Sequence, residues 1–359
     1  MTSTSWNQRR RVLVLGSGII GLTTAIRLAE RGHKVLIWSK DRSPNLTSDG
    51  SGGYWMPFHI EPEELVNEWS IEALRVFRNQ SKQYGKECGI HIFPGRVLHE
   101  HLPKQVPYWT HYVNMRIVTS PDQVPKEFEG AWKFESPIVN MDVYMPWLEK
   151  QARTLGVEIL SPRTVGPRLI DAALDAYRHF AAEVLINCTG LGSRELCNDK
   201  SVIPGRGATL RVLSNTRKQQ KPREFITTSS GPFSSNELPT YILPRGDNLY
   251  TLGGTYYEND WNTQVSPEEV VDIQRRCSLL LPEIKDAPVV RTWAGLRPVR
   301  PQVRLEYEIL DEDNIPLIIH NYGHGGAGVT VSWGCAKHVV SLLEDCYAAK
   351  ERRILASRL

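Results

Sequence analysis

The segment RVLVLGSGIIGLTTAIRLAERGHKVLIWSKD, residues 11–41, restricts the fold more than any other part of the chain. The apolar run at 12–15 leads into Gly16-Ser17-Gly18-Ile19-Ile20-Gly21, after which Leu22, Ala25, Ile26 and Ala29 recur at helical spacing. Gly32 closes that helix, and KVLIW reads as a second buried strand. Strand, glycine turn, helix and strand within about 30 residues form a βαβ unit, the context in which GxGxxG binds a dinucleotide. Gly16 allows the tight turn, Gly18 lets backbone amides approach a pyrophosphate, and Gly21 lets the helix close on the strand. The helix N-terminus adds partial positive charge. Asp41 follows the second strand, where an acid can bind ribose hydroxyls. Lys40 beside it could meet a 2′-phosphate, cover an adenine or stay solvated.

A second glycine-rich turn, GHGGAGVTVSWG at 323–334, also enters a helix. Its N-terminus near Val329 and Thr330 again favours negative charge. Two anion-seeking turns in one chain suit a long dinucleotide. FAD fits, with its pyrophosphate at the first turn and its isoalloxazine near the second.

Several classes drop out. The net charge is +3 over 359 residues, with no basic stripe interleaved with aromatics, so nucleic-acid binding is not expected. No apolar run approaches the ~20 residues of a membrane span. The N-terminal apolar run is too short for a signal-peptide core, and a strand is expected there. The six cysteines include no CxxC pair, which points to a reduced compartment rather than a zinc or dithiol site. No GxSxG or HExxH pattern occurs. His99-Glu100-His101 is an incomplete metal pair and reads as a surface strand. His324 reads as a packing or hydrogen-bonding residue.

Elsewhere, a loop is expected over 42–58, a helix from near Pro62, short strands over 85–140 and a helix over 143–156. A buried strand at 181–193, a hairpin about Arg245–Asn248, and helices at 267–280 and about 329–350 complete the pattern. The stretch 227–240 is a surface excursion or a lid. LRPVRPQVRLE, 296–306, cannot be helical, because Pro298 and Pro301 fix φ and lack amide donors. On an extended chain neighbouring residues alternate faces, which sets Arg297 against Arg300 and Arg304. Alternation leaves open which side faces a ligand anion; arginines on the other side are expected to pair with acids such as Glu306 or Glu308, or with backbone carbonyls.

VLVLGSGIIGL, TSDGSGGYWMPF, NCTGLGSR, PGRG (204–207), TLGGTYY, Asp260-Trp261, GLRPVRPQVRLE and HNYGHGGAGVTVSWG spread over nearly the whole chain. Together they resemble the FAD-dependent D-amino-acid oxidase and D-aspartate oxidase family. The resemblance implies an α/β (mixed α+β) fold: a Rossmann-type FAD-binding domain intertwined with a substrate domain on a large mixed β-sheet. The FAD domain is expected at 1–58, 141–196 and 290–359, and the substrate domain at 59–140 and 197–289. It also implies that Gly16, Ser17, Gly18, Ile20 and Gly21 hold the pyrophosphate, with Lys40 and Asp41 at the adenosine end. Thr47, Ser48, Gly53 and Met56 would line the flavin approach. Thr164, Cys188 and Gly190 would complete the cofactor wall. Gly325, Gly328, Val329 and Thr330 would meet the flavin ring.

For substrate, the resemblance makes Arg297 the carboxylate clamp with help from Tyr241. The Gly326 carbonyl would accept from the amine, and Tyr256 and Phe58 would wall the side chain. The implied reaction is hydride transfer from the α-carbon of a D-amino acid to flavin N5, giving a 2-oxo acid, ammonia and, with O₂, H₂O₂. The acidic-substrate branch of the family carries arginine where this chain has Tyr256, which implies neutral substrates here; D-aspartate or D-glutamate oxidation is the alternative. A non-catalytic dinucleotide-binding protein is a remote one. Glu237 stands where mammalian members have a lid tyrosine, and GGTY (253–256) resembles the yeast form. Ser357-Arg358-Leu359 is a conservative variant of the peroxisomal Ser-Lys-Leu address, so an import receptor is an expected partner; a homodimer is compatible with the sequence.

Overall fold

The computed structural model describes residues 9–58, 60–214, 223–229, 240–246, 248–309 and 316–356. Most of the expected lid, Glu237 included, and Ser357-Arg358-Leu359 lie outside the described residues.

The strand Arg11–Leu15 is buried along Val12–Leu15 because it lies inside a sheet covered on both faces. It pairs in parallel with Lys34–Trp38 on one side and Val184–Asn187 on the other. Glu158–Leu160 extends the sheet beyond Lys34–Trp38, and Leu317–Tyr322 and then Arg304–Glu308 extend it the other way. Six strands result, parallel except for the Arg304–Glu308 edge. The helix Ile19–Glu30 starts on Gly18 and covers one face, with Ile19, Leu22, Ala25 and Ile26 turned inward. Against it pack Gly328–Ala356 and, in turn, Glu63–Tyr84, which begins after Pro62 with Glu63 and Glu64 in its first turn. One helix not expected above, Leu169–Phe180, covers the opposite face through Leu169, Ala172, Ala173 and Ala176.

A second sheet has nine strands. Its long members are Ile90–His99 and Gly130–Val139, paired with each other, and Ile203–Leu213, paired along its length with Val289–Val299. Between these pairs run Phe225–Thr228 and the hairpin Tyr241–Pro244 and Leu249–Gly253. The helix Pro267–Leu280 stands at its expected limits, held by a capping box in which Ser266 and Glu269 exchange backbone bonds of 3.2 and 2.9 Å. The expected helix 143–156 runs Met141–Thr154 instead, starting on the Asn140 cap.

Sheet membership moves the expected boundary at 290. Val289–Val299 carries Arg297 and belongs to the nine-stranded sheet, because its register follows Ile203–Leu213 to the end. Glu63–Tyr84, expected in the substrate domain, packs on the helices of the six-stranded side.

The arginine segment also differs from a single extended chain. Val289–Val299 ends, a turn follows, and Arg304–Glu308 joins the other sheet. The arginines part company because the chain changes sheets, a stronger cause than alternation. Arg304 donates to Glu306 at 2.7 Å and to the Tyr322 hydroxyl at 2.9 Å. Arg300 pairs with Asp199 at 2.9 Å and donates to the Gln302 carbonyl at 2.8 Å.

Asp199 thus joins the two sheets, since Tyr322 donates to the same carboxylate at 2.9 Å. Burial alone would raise its pKa, but bonds from Ser201, Tyr322 and Arg300 outweigh burial and hold it at about 2. A depressed carboxylate stabilises the fold fully above its unfolded value near 3.9 and loses that contribution as pH falls toward 2. Asp199→Asn is therefore expected to cost about 2 kcal/mol at neutral pH and to flatten the loss of stability between pH ~4 and ~2. Urea unfolding of both proteins across that range checks it.

Candidate active site

A cavity of about 980 Å³ runs between the two sheets from the first glycine turn to the second. At one end Gly16, Ser17, Gly18 and Ile20 meet Lys40, Asp41 and Thr164. Thr47, Ser48, Gly53, Met56, Cys188 and Gly190 line it as well. Towards the second turn, Gly325, Gly328, Val329 and Thr330 line it with Phe58, Tyr241, Tyr256, Arg297 and Gly326. Residues from 16 to 330 in sequence are brought to one space.

Gly21 is the exception. It faces away from the cavity, and a Cβ there would overlap the Gly16 carbonyl and touch the Cys188 side chain at 3.6 Å. Its part is to bring helix and strand together. Gly16 has φ +101°, and a Cβ there would sit 2.6 Å from the Cys188 carbonyl oxygen.

The loop 47–58 is held from both sheets. Ser48 Oγ accepts from the Ile19 amide at 3.0 Å, tying the loop to the start of the first helix. Thr330 Oγ1 accepts from the Met56 amide at 3.3 Å and donates to the Met56 carbonyl at 3.2 Å. From the nine-stranded sheet, Arg245 donates to the carbonyls of Ser51 (2.8 Å), Gly52 (3.0 Å) and Val139 (2.7 Å). Burial pulls the Arg245 pKa down, so those carbonyls are what make the charge tolerable.

At the far end, Arg297 leans across Ile203–Leu213 and reaches the carbonyls of Thr255 at 3.3 Å and Gly205 at 3.4 Å. A Cβ at Gly326 would lie 3.4 Å from Arg297 Cδ, which puts the Gly326 backbone against the arginine stem. Burial pushes the Tyr241 hydroxyl up, against the pull of the Arg297 charge, and it stays a neutral donor. Burial likewise lowers His324 to about 3; its Nε2 is 3.1 Å from Asn321 Oδ1. A neutral, packed imidazole of that kind is a poor base at neutral pH.

His99 is buried rather than on a surface strand, 4.3 Å from the Trp132 ring, while His101 is exposed. They diverge because Ile90–His99 ends between them. No metal-binding group of three or more His, Cys, Asp or Glu occurs among the described residues.

Comparisons with known proteins show the family. A profile described as FAD dependent oxidoreductase matches residues 11–342. The chain belongs to that family. It is 37% identical over 333 residues to a D-amino-acid oxidase of Streptomyces coelicolor, covering 92% of this chain and 96% of that one. It is 32% identical to D-aspartate oxidase of Homo sapiens, covering 97% and 99%. Glycine oxidase from Bacillus cereus superposes with a TM-score of 0.74 at 20% identity over 94% and 95% of the two chains, a likeness of fold.

FAD fits the residues present. The cavity is lined by Gly16 and Gly18 where the pyrophosphate would pass. Arg163 and Trp38 line the adenosine end, and Arg163 Nε and Trp38 Nε1 are buried donors without a protein partner. Such donors are costly unless a ligand or water satisfies them. Sequence reasoning missed both, because neither belongs to a glycine motif. An arginine one residue before Thr164 was the available signal.

Proposed function

We propose that this chain oxidatively deaminates neutral D-amino acids. The observation that carries the reading is Arg297, a cation without an acidic partner in the described structure, beside Tyr241 and the Gly326 backbone in the cavity that fits FAD. The substrate carboxylate pairs with the Arg297 guanidinium, and the Tyr241 hydroxyl donates to it. The Gly326 carbonyl accepts from the neutral amine. These contacts orient the α-hydrogen, and the low-polarity walls exclude water. No side chain needs to take a proton from carbon; His324 is neutral and packed. FAD, held by the glycine turns, would supply the two-electron acceptor, with O₂ as the final oxidant giving H₂O₂. The imino acid product hydrolyses in water to a 2-oxo acid and ammonia.

The likeness to a D-amino-acid oxidase supports D-stereochemistry. Neutral side chains are favoured because Phe58 and Tyr256 wall this end, and because Arg300, another cation lining the cavity, is engaged by Asp199. An acidic side chain would need a second free cation. The likeness to D-aspartate oxidase makes the acid the competing substrate. The test is peroxide formation and anaerobic bleaching of the yellow protein with D-alanine, L-alanine and D-aspartate. D-alanine is expected to act at least about tenfold better than either; preference for D-aspartate would overturn the neutral reading, and bleaching by L-alanine the stereochemistry. Ser357-Arg358-Leu359 as a peroxisomal address accords with peroxide production, and deletion of the tripeptide should leave a tagged copy in the cytosol.

A further inference from the structure

Arg297 reaches its position by lying over a place where the sheet has no side chain. Val289–Val299 and Ile203–Leu213 are antiparallel, with Arg297 opposite Gly205 and Gly295 opposite Gly207. The Arg297 side chain slants from its own register toward Gly207. A Cβ at Gly207 would overlap Nη1, Nη2 and Cζ of the guanidinium, all inside the 3.0 Å that Cβ atoms essentially never breach. The same construction recurs beside it. A Cβ at Gly253 would overlap the Tyr241 ring and hydroxyl, and one at Gly205 would lie 2.6 Å from Tyr256 Cε2.

None of these three glycines has a positive φ. At Gly205 and Gly207, inside Ile203–Leu213, the backbone suits any residue, and in a strand interior alanine is ordinarily the better choice by about 0.5–1 kcal/mol. Turn geometry therefore does not account for them. Gly207 leaves room for Arg297 and Gly253 for Tyr241, while Gly205 leaves room for both Tyr256 and Val299; all four side chains belong to residues lining the cavity. At Gly207 the obstructed atoms are the free end of a flexible arginine, which can swing aside without disturbing the fold. Filling that place would move the charge and spare the sheet.

We infer that Gly207 is a positioning residue for the reaction: its missing side chain seats the Arg297 guanidinium and so sets where the substrate carboxylate lies. This rests on the reading of Arg297 given above. It assigns to PGRG (204–207) a part in substrate placement, while the neighbouring Arg206 is structural, bonded to Glu269 at 2.6 and 2.8 Å.

The test is a cycle of Gly207→Ala, Arg297→Ala and the double variant in the FAD-loaded enzyme. Propionate, the carboxylate skeleton of alanine without its amine, serves as the binding probe through its effect on the flavin spectrum. Gly207→Ala is expected to keep its FAD, to raise the D-alanine KM and the propionate Kd more than it lowers kcat, and to lose about 100-fold in kcat/KM, the usual cost of misplacing a clamp by about 1 Å. In the Arg297→Ala background the same change should alter propionate binding by less than about threefold and leave the Tm equal or higher. Unaltered KM and Kd in Gly207→Ala would overturn the inference, as would an equal loss in both backgrounds. If Gly207→Ala alone cannot hold FAD, recovery in the double variant supports the seat and continued failure overturns it. Undiminished activity of Arg297→Ala would instead refute the proposed function, an outcome distinct from a failure at Gly207.

Discussion

Arg297→Ala is expected to lower kcat/KM on D-alanine by about 30- to 5,000-fold, the equivalent of about 2–5 kcal/mol for removing one partner of a buried charge pair. The loss should be this large because, among the described residues, the other arginines considered for this end are already engaged. Arg300 is engaged by Asp199, and Arg245 is spent on backbone carbonyls of the 47–58 loop. Arg297 itself has only two long contacts, at 3.3 and 3.4 Å, to the carbonyls of Thr255 and Gly205. Its removal leaves few protein groups unsatisfied, so the variant should fold, bind FAD and show its deficit in steady-state kinetics. Near-normal turnover of D-alanine by a yellow, folded variant would remove Arg297 from the mechanism.

Gly21→Ala is expected to be a severely damaging single-methyl change in the cofactor half. The added carbon would meet the Gly16 carbonyl, a backbone atom at the end of a fully paired central strand. A flexible tip could swing away; this backbone cannot move without parting the first helix from the sheet. Overpacking of this kind costs about 1–3 kcal/mol, and the upper end is expected here. The variant should purify with little flavin absorbance and a Tm several degrees lower. Full FAD content with an unchanged Tm would show that the turn relaxes more readily than its geometry implies. The contrast with Gly207→Ala is instructive, because one glycine accommodates backbone and the other the tip of a side chain.

Motifs that depend on neighbours in sequence were readable without coordinates. GxGxxG between a strand and a helix makes its own turn, and residues 11–38 fold as that local pattern dictates. The helix Pro267–Leu280 was legible because its cap is written within four residues. Arg297 was singled out by the family resemblance, and Arg304 does pair with Glu306. The reason for their separation was not legible, because the turn after Val289–Val299 sends the chain into the other sheet. Arg163 was missed for a related reason: what marks it is a buried, unpartnered Nε on a residue that lines the cavity, and no sequence spacing encodes that. Gly21 and Gly18 look alike in the motif, yet one packs on backbone and the other lines the cavity.

By itself the amino-acid sequence determined the dinucleotide-binding turn, and its resemblance to a known family supplied the expected role of Arg297. The turn follows from short-range chemistry: a glycine that must turn and a helix end that attracts anions. The tertiary structure alone decided which glycine serves which group, and that Val289–Val299 crosses from its expected domain into the nine-stranded sheet. The physical reason is register. Only when two strands far apart in sequence are paired does Arg297 come to lie over Gly207, and a missing side chain acquires meaning from the atoms that occupy its place.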